Sequence, residues 1–124
     1  MNLLDSNIVI AAASCDDEAF DRTGLEMPYS VSVVTRIEVP GYHRLMPEDK
    51  ADLLAFLVGG RELPLDETMA EGAVRLRQER RMGLGDAIIA ATALVHYLRL
   101  LTRNGDDFKH IAGLKLINPF AAKT

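Results

Sequence analysis

Cysteine is almost missing from the chain: Cys15 is the only one in 124 residues. No disulfide can close within the chain, and a cysteine-rich zinc site is not expected. Nothing near Cys15 suggests an activated thiol. Long apolar runs are missing too. None approaches the ~20 residues that a membrane span requires. No basic, apolar, small-residue leader opens the chain, so a soluble, cytoplasmic protein is expected. Excess positive charge is absent as well. Fourteen basic against eighteen acidic residues give a net charge of −4. That argues against a surface that grips nucleic acid by charge over its whole extent, but not against a local grip. Internal repeats, low-complexity stretches and linkers are not found.

What remains is an ordinary globular composition, 48% hydrophobic and 26% charged. A single domain over residues 1–124 is expected, large enough to bury roughly two-thirds of its unfolded surface. Leu3-Leu4-Asp5 reads as a short buried strand, and a helix opens at Ser6 or Asn7. After the break at Met27-Pro28, Tyr29 to Val34 reads as a β-branched strand. Thr35 to Leu45 looks helical, with Pro40-Gly41 kinking or splitting it. Pro47-Glu48-Asp49 starts a further helix whose apolar face is read as Leu54, Leu57 and Val58, and Gly59-Gly60 stops it. Glu62 to Leu65 reads as a strand. A helix follows to Arg81, capped by Asp66 or by the box Thr68 to Glu71. Asp86 to Tyr97 is apolar almost all round and is expected to be central. Leu98 to Thr102 and Leu114 to Ile117 are the last strands, Asn104-Gly105 is a turn, and Ala121 to Thr124 is expected to fray. Strands alternate with helices, which implies an α/β fold with a parallel sheet covered on both faces.

In such a sheet, ligands bind beyond the carboxyl ends of the strands. Asp5 follows the first strand, and Glu38 follows the second by about one helical turn. Asp106 and Asp107 follow the Leu98–Thr102 strand. Asp86 opens the helix that feeds that strand. Taken singly, each has a plainer reading: Asp5 and Asp86 as helix caps or first-turn acids, Glu38 as a solvated residue, one of Asp106 and Asp107 as turn polarity. Taken together, they form a rim of carboxylates. Clustered carboxylates repel, and a divalent cation removes the conflict. Oxygen ligands without Cys or His suit Mg²⁺, with Mn²⁺ as a substitute, rather than zinc. Such an ion acts on phosphate groups, which points to phosphodiester hydrolysis.

The pattern resembles the PIN-domain ribonucleases, most closely the VapC-like toxins of type II toxin–antitoxin systems. Four segments carry the resemblance, in the family's order across nearly the whole chain. They are Leu3 to Ile10, Ser32 to Val39, Gly85 to Ala93, and Leu101 to Phe108, with a closing strand at Leu114 to Phe120. The resemblance implies a three-layer α/β/α fold with a central parallel sheet of four to five strands. It also implies a Mg²⁺-dependent endoribonuclease acting on RNA, neutralised by a cognate antitoxin and paired as a homodimer. Asp5 and Asp86 would hold the metal most directly, with Glu38 and Asp107 completing the set. Many relatives carry aspartate where this chain has Asn104. Asp107 is therefore taken as the fourth acid, with Asn104 as a neutral helper and Asp106 as the substitute. Thr102 and Asn7 would support the ligands by hydrogen bonds. A second departure is Pro40-Gly41, which leaves the orientation of Glu38 open.

Other residues weigh less. Arg75, Arg77, Arg80 and Arg81 could guide RNA, but pairs Glu71–Arg75 and Arg75–Glu79 at i,i+4 spacing favour a solvated helix face. Arg36 and Arg103 lie nearer the site and could meet a phosphate or pair with the acids. His43, His96 and His110 have no ligand spacing. Tyr29, Tyr42 and Tyr97 are read as packing or interface residues. Two rival functions remain: a catalytically silent PIN-like binding module, which a damaged acid set would favour, and a phosphoacceptor domain. The latter needs paired acids after the first strand and a late lysine; Asp5 stands alone, and Lys109 is poorly placed.

Overall fold

The structure is a computed structural model and describes residues 1–13, 28–41 and 46–119. The expectations for Cys15, Met27, Tyr42, His43, the end of the Thr35–Leu45 helix, and Ala121 to Thr124 lie outside the described residues.

Five strands form one sheet: β1 (Asn2–Leu4), β2 (Tyr29–Ser32), β3 (Arg61–Leu63), β4 (Arg99–Leu101) and β5 (Leu116–Ile117). Their order is β3-β2-β1-β4-β5, and every neighbouring pair is parallel. The helices are α1 (Ser6–Ala13), α2 (Val33–Glu38), α3 (Pro47–Gly59), α4 (Glu67–Glu79) and α5 (Leu84–Val95). The alternation of side chains along β1 divides the core. Leu3 packs with residues of α4 and α5, and Leu4 with residues of α1 and α3. The three-layer α/β/α arrangement follows from this split.

Several boundaries move for local reasons. The second strand stops at Ser32 rather than Val34, because the Ser32 hydroxyl accepts the Val34 N–H at 3.1 Å and starts α2. Polar Ser30 and Ser32 are also fully buried in β2, where a nearly continuous apolar run was expected. The Pro40-Gly41 pair ends α2 instead of kinking a longer helix. Gly41 donates to the Ile37 carbonyl, and a Cβ there would stand 2.7 Å from that oxygen, so only glycine fits. Helix α4 uses the earlier of its two caps, with the Met69 N–H donating to Asp66 Oδ1 at 2.9 Å.

The buried face of α3 is a correction. Leu53 and Leu57 are buried, whereas Leu54 and Val58 are 41% and 85% exposed. The inward stripe is 53/56/57, one residue round from the expected one, because Phe56 stacks on Tyr29 with ring centroids 4.8 Å apart. Tyr29 also donates its hydroxyl to the Phe56 carbonyl, so its packing role is borne out. Tyr97 does not pack. It follows the end of α5 with φ +55° and is 94% exposed. From Ala87 to Ala93 every residue of α5 is buried, as its composition implied. Its small side chains admit α4 closely: a Cβ on Gly72 would be 3.3 Å from the Ala91 Cβ. No helix among the described residues is long and apolar enough to cross a membrane.

Candidate active site

Parallel strands deliver their carboxyl ends to one edge, and four acid-bearing segments arrive there. Asp5 follows β1 directly. Its N–H donates to the Leu101 carbonyl at 3.0 Å, which extends the β1–β4 pairing one step beyond the strand. Its carbonyl accepts from Ile8 and Val9, so Asp5 is also the residue on which α1 starts. The plain reading as a helix cap and the reading as a site acid are therefore both true. Oδ1 of Asp5 accepts the Ser6 N–H at 2.8 Å. Oδ2 accepts the Thr102 hydroxyl at 2.8 Å and the Asn7 amide at 3.4 Å. Thr102, fully buried, takes the Asn104 N–H at 3.0 Å, and Asn7 Oδ1 takes the Arg103 N–H at 3.2 Å. These bonds lock the first and fourth segments together.

Glu38 is the last residue of α2, and its side chain is exposed. Ser6 Oγ donates to Glu38 Oε1 at 3.0 Å and lies 3.4 Å from Thr35 Oγ1. Asp86 lies in the first turn of α5, partly buried. Burial, then the charges of Asp5, Asp107 and Glu38, push its carboxyl up to about 6. Burial also raises Asp5. The Thr102 and Ser6 hydrogen bonds oppose that shift, and the charge of Asp107 adds to it. Asp107 is therefore the acid of the fourth segment whose field reaches the others. Asp106 points away, 93% exposed, and pairs with Lys109 at 3.3 Å. Asn104 and Asp107 line a polar recess of about 340 Å³ beside Asp106, Arg103 and Asn118.

The donor set is all oxygen: four carboxylates, two of them pushed toward protonation by burial and by one another. That chemistry suits a hard divalent cation. Among the described residues, no three acid, histidine or cysteine side chains stand close enough to enclose an ion unaided. Mg²⁺ asks less, because it usually keeps several waters and takes only one or two carboxylates.

Other candidates fall elsewhere. Arg36 pairs with Glu62 of β3, away from the acids, rather than with the cluster. Arg75, Arg77, Arg80 and Arg81 are exposed, but no ion pair joins Arg75 to Glu71 or Glu79 among the described residues. Arg77 instead donates to the Met82 carbonyl. His96 caps α5 in solvent, and both ring nitrogens of His110 are buried without a hydrogen bond. Sequence reasoning missed Ser6, Thr35 and Gly85 as site residues. The available signal was a hydroxyl directly after the first acid, at the start of a helix on the same rim.

A profile of the PIN domain family matches residues 3–114. The chain belongs to the PIN domain family. Among curated PIN relatives, Ribonuclease VapC10 of Mycobacterium tuberculosis is 33% identical over 129 residues, covering 98% of this chain and 94% of its own. A solved toxin–antitoxin complex from Klebsiella pneumoniae matches with a TM-score of 0.78 and 32% identity, covering 96% of this chain and 98% of its own. VapBC2 from Rickettsia felis, solved on a DNA fragment from its promoter, matches with a TM-score of 0.80 and 22% identity. Its coverage is 94% of this chain and 97% of its own, and at that identity it speaks for the PIN fold alone.

Proposed function

We propose that this PIN-domain protein is a metal-dependent endoribonuclease that hydrolyses RNA phosphodiester bonds as the toxin of a toxin–antitoxin pair. The observation that carries the reading is the gathering of Asp5, Glu38, Asp86 and Asp107 at one sheet edge, where mutual repulsion and burial raise Asp86 to about 6. Identity of 33% to a named ribonuclease over nearly the full chain supports the reaction class. Identity of 32% to a chain of a toxin–antitoxin complex supports an antitoxin partner. A homodimer and a cytoplasmic setting belong to the same reading.

Asp5 and Asp86 would hold Mg²⁺ most directly, with Glu38 and Asp107 completing the set. The ion, when bound, supplies a more acidic water and polarises the phosphoryl oxygen. The rest is the protein's own work. Thr102 and Asn7 fix the Asp5 carboxylate by two hydrogen bonds, so its orientation is set before substrate arrives. The Asn104 N–H on the Thr102 hydroxyl oxygen orients that hydroxyl toward Asp5. Net negative charge at the rim disfavours bare phosphate, so RNA is held productively only once a cation offsets it.

The test is cleavage of labelled total RNA by purified protein, in Mg²⁺ or EDTA, beside Asp5→Asn and Asp86→Asn shown folded by circular dichroism. Cutting that requires Mg²⁺ and disappears in both variants is expected. Cutting that survives both substitutions would sink the acid-cluster reading.

A further inference from the structure

We infer that Ser6 is a positioning residue for Glu38: its hydroxyl clips the carboxylate of the second segment to the first and fixes which oxygen faces the site. The inference rests on the ribonuclease reading above. Glu38 needs such a clip. It ends a helix of six residues, the chain turns away at once through Pro40-Gly41, and its side chain is exposed. A long, solvated glutamate in that position would sample many rotamers, and holding it to one has an entropic cost.

Two neighbours restrict it. Ser6 Oγ donates to Oε1 at 3.0 Å. On the other side, Gly85 presents its bare α-carbon, and a Cβ built there would sit 3.7 Å from both carboxylate oxygens. The carboxylate is thus held between the residue after the first acid and the residue before the third. With Oε1 occupied by Ser6, Oε2 is the oxygen left for the site. The arrangement also separates two roles within one residue. The Ser6 main chain serves Asp5 through its N–H, and the Ser6 side chain serves Glu38. Alanine keeps the first bond and removes only the second.

The experiment compares Ser6→Ala, Ser6→Thr, Glu38→Gln and the Ser6→Ala/Glu38→Gln pair. At saturating Mg²⁺, Ser6→Ala should lower kcat by about 10-fold with the KM for RNA within about twofold, since a bond to a charged group that positions it acts on the chemical step. Ser6→Thr keeps the hydroxyl and should recover most of that loss. In the Glu38→Gln background, Ser6→Ala should add little. Independently of activity, carboxyl-carbon NMR of metal-free protein should show the Glu38 resonance, assigned by its loss in Glu38→Gln, moving toward those of solvated glutamates in Ser6→Ala. Full kcat in Ser6→Ala, effects that multiply in the double variant, or an unmoved Glu38 resonance would each overturn the inference. If wild-type protein cuts no RNA, or Asp5→Asn still cuts it, the ribonuclease reading fails instead, and the NMR comparison alone decides the role of Ser6.

Discussion

Replacing Asp86 by asparagine should stabilise the metal-free protein at neutral pH, although it removes a site acid. The folded protein raises Asp86 from 3.8 to about 6. Between those values the folded state binds its proton more tightly than the unfolded chain does. The stability this contributes is full below pH ~4 and is lost as pH rises through ~6. Two units correspond to at most about 3 kcal/mol, and solvent around this partly exposed side chain screens that to on the order of 1–2 kcal/mol. The α5 dipole favours the carboxylate by only ~0.3–1 kcal/mol, so the sign is expected to stand. For a domain of this size the gain is roughly 3–6 °C in Tm. Thermal melts in EDTA should show Asp86→Asn above wild type at pH 7 and the gap closing toward pH 4. Adding Mg²⁺ should raise wild type by mass action and the variant by less. If Asp86→Asn melts below wild type by the same margin at pH 7 and pH 4, the repulsion argument is refuted.

Thr102→Val keeps shape but leaves Asp5 Oδ2 short of its 2.8 Å donor. Urea titration should show a loss of about 1–3 kcal/mol, together with weakened RNA cleavage. Asp107→Asn should abolish most cleavage, whereas Asp106→Asn, whose partner is Lys109 in solvent, should change the rate by less than about twofold. Leu53→Ala should cost about 2–4 kcal/mol by chemical denaturation, and Leu54→Ala less than about 0.5, because only the first faces the core. Tyr97→Gly should raise stability by roughly 0.5–1 kcal/mol, since glycine tolerates the left-handed backbone at no steric cost.

The order of elements was legible because each signal was local. Pro47 opens α3, Asp66 caps α4 and the alanines of α5 mark a helix packed on several sides. The rim of acids was legible because parallel topology alone sends Asp5, Glu38, Asp86 and the 106–107 pair to one edge. What the sequence hid was rotation and reach. Leu53 and Leu54 are equally apolar, and only the Tyr29–Phe56 stack decides which turns inward. Asp106 and Asp107 are adjacent and chemically identical, and only the short helical turn at Gly105–Asp107 directs one toward the cluster and the other to Lys109. Arg36 likewise found a partner across the sheet edge rather than in the site.

The bond from Thr102 to Asp5 joins residues 97 apart in sequence. The first acid is therefore made early in synthesis but receives its orientation only when the fourth strand docks beside the first. Until then Asp5 is a free carboxylate on an unpaired segment, and Asp86 and Asp107 have not joined it. On the ribosome, surrounded by RNA, a partial chain carries none of the assembled site. Contacts this distant also slow folding, because the intervening loop must close before they form. The same topology that builds the site thus delays its completion until almost the entire chain has emerged.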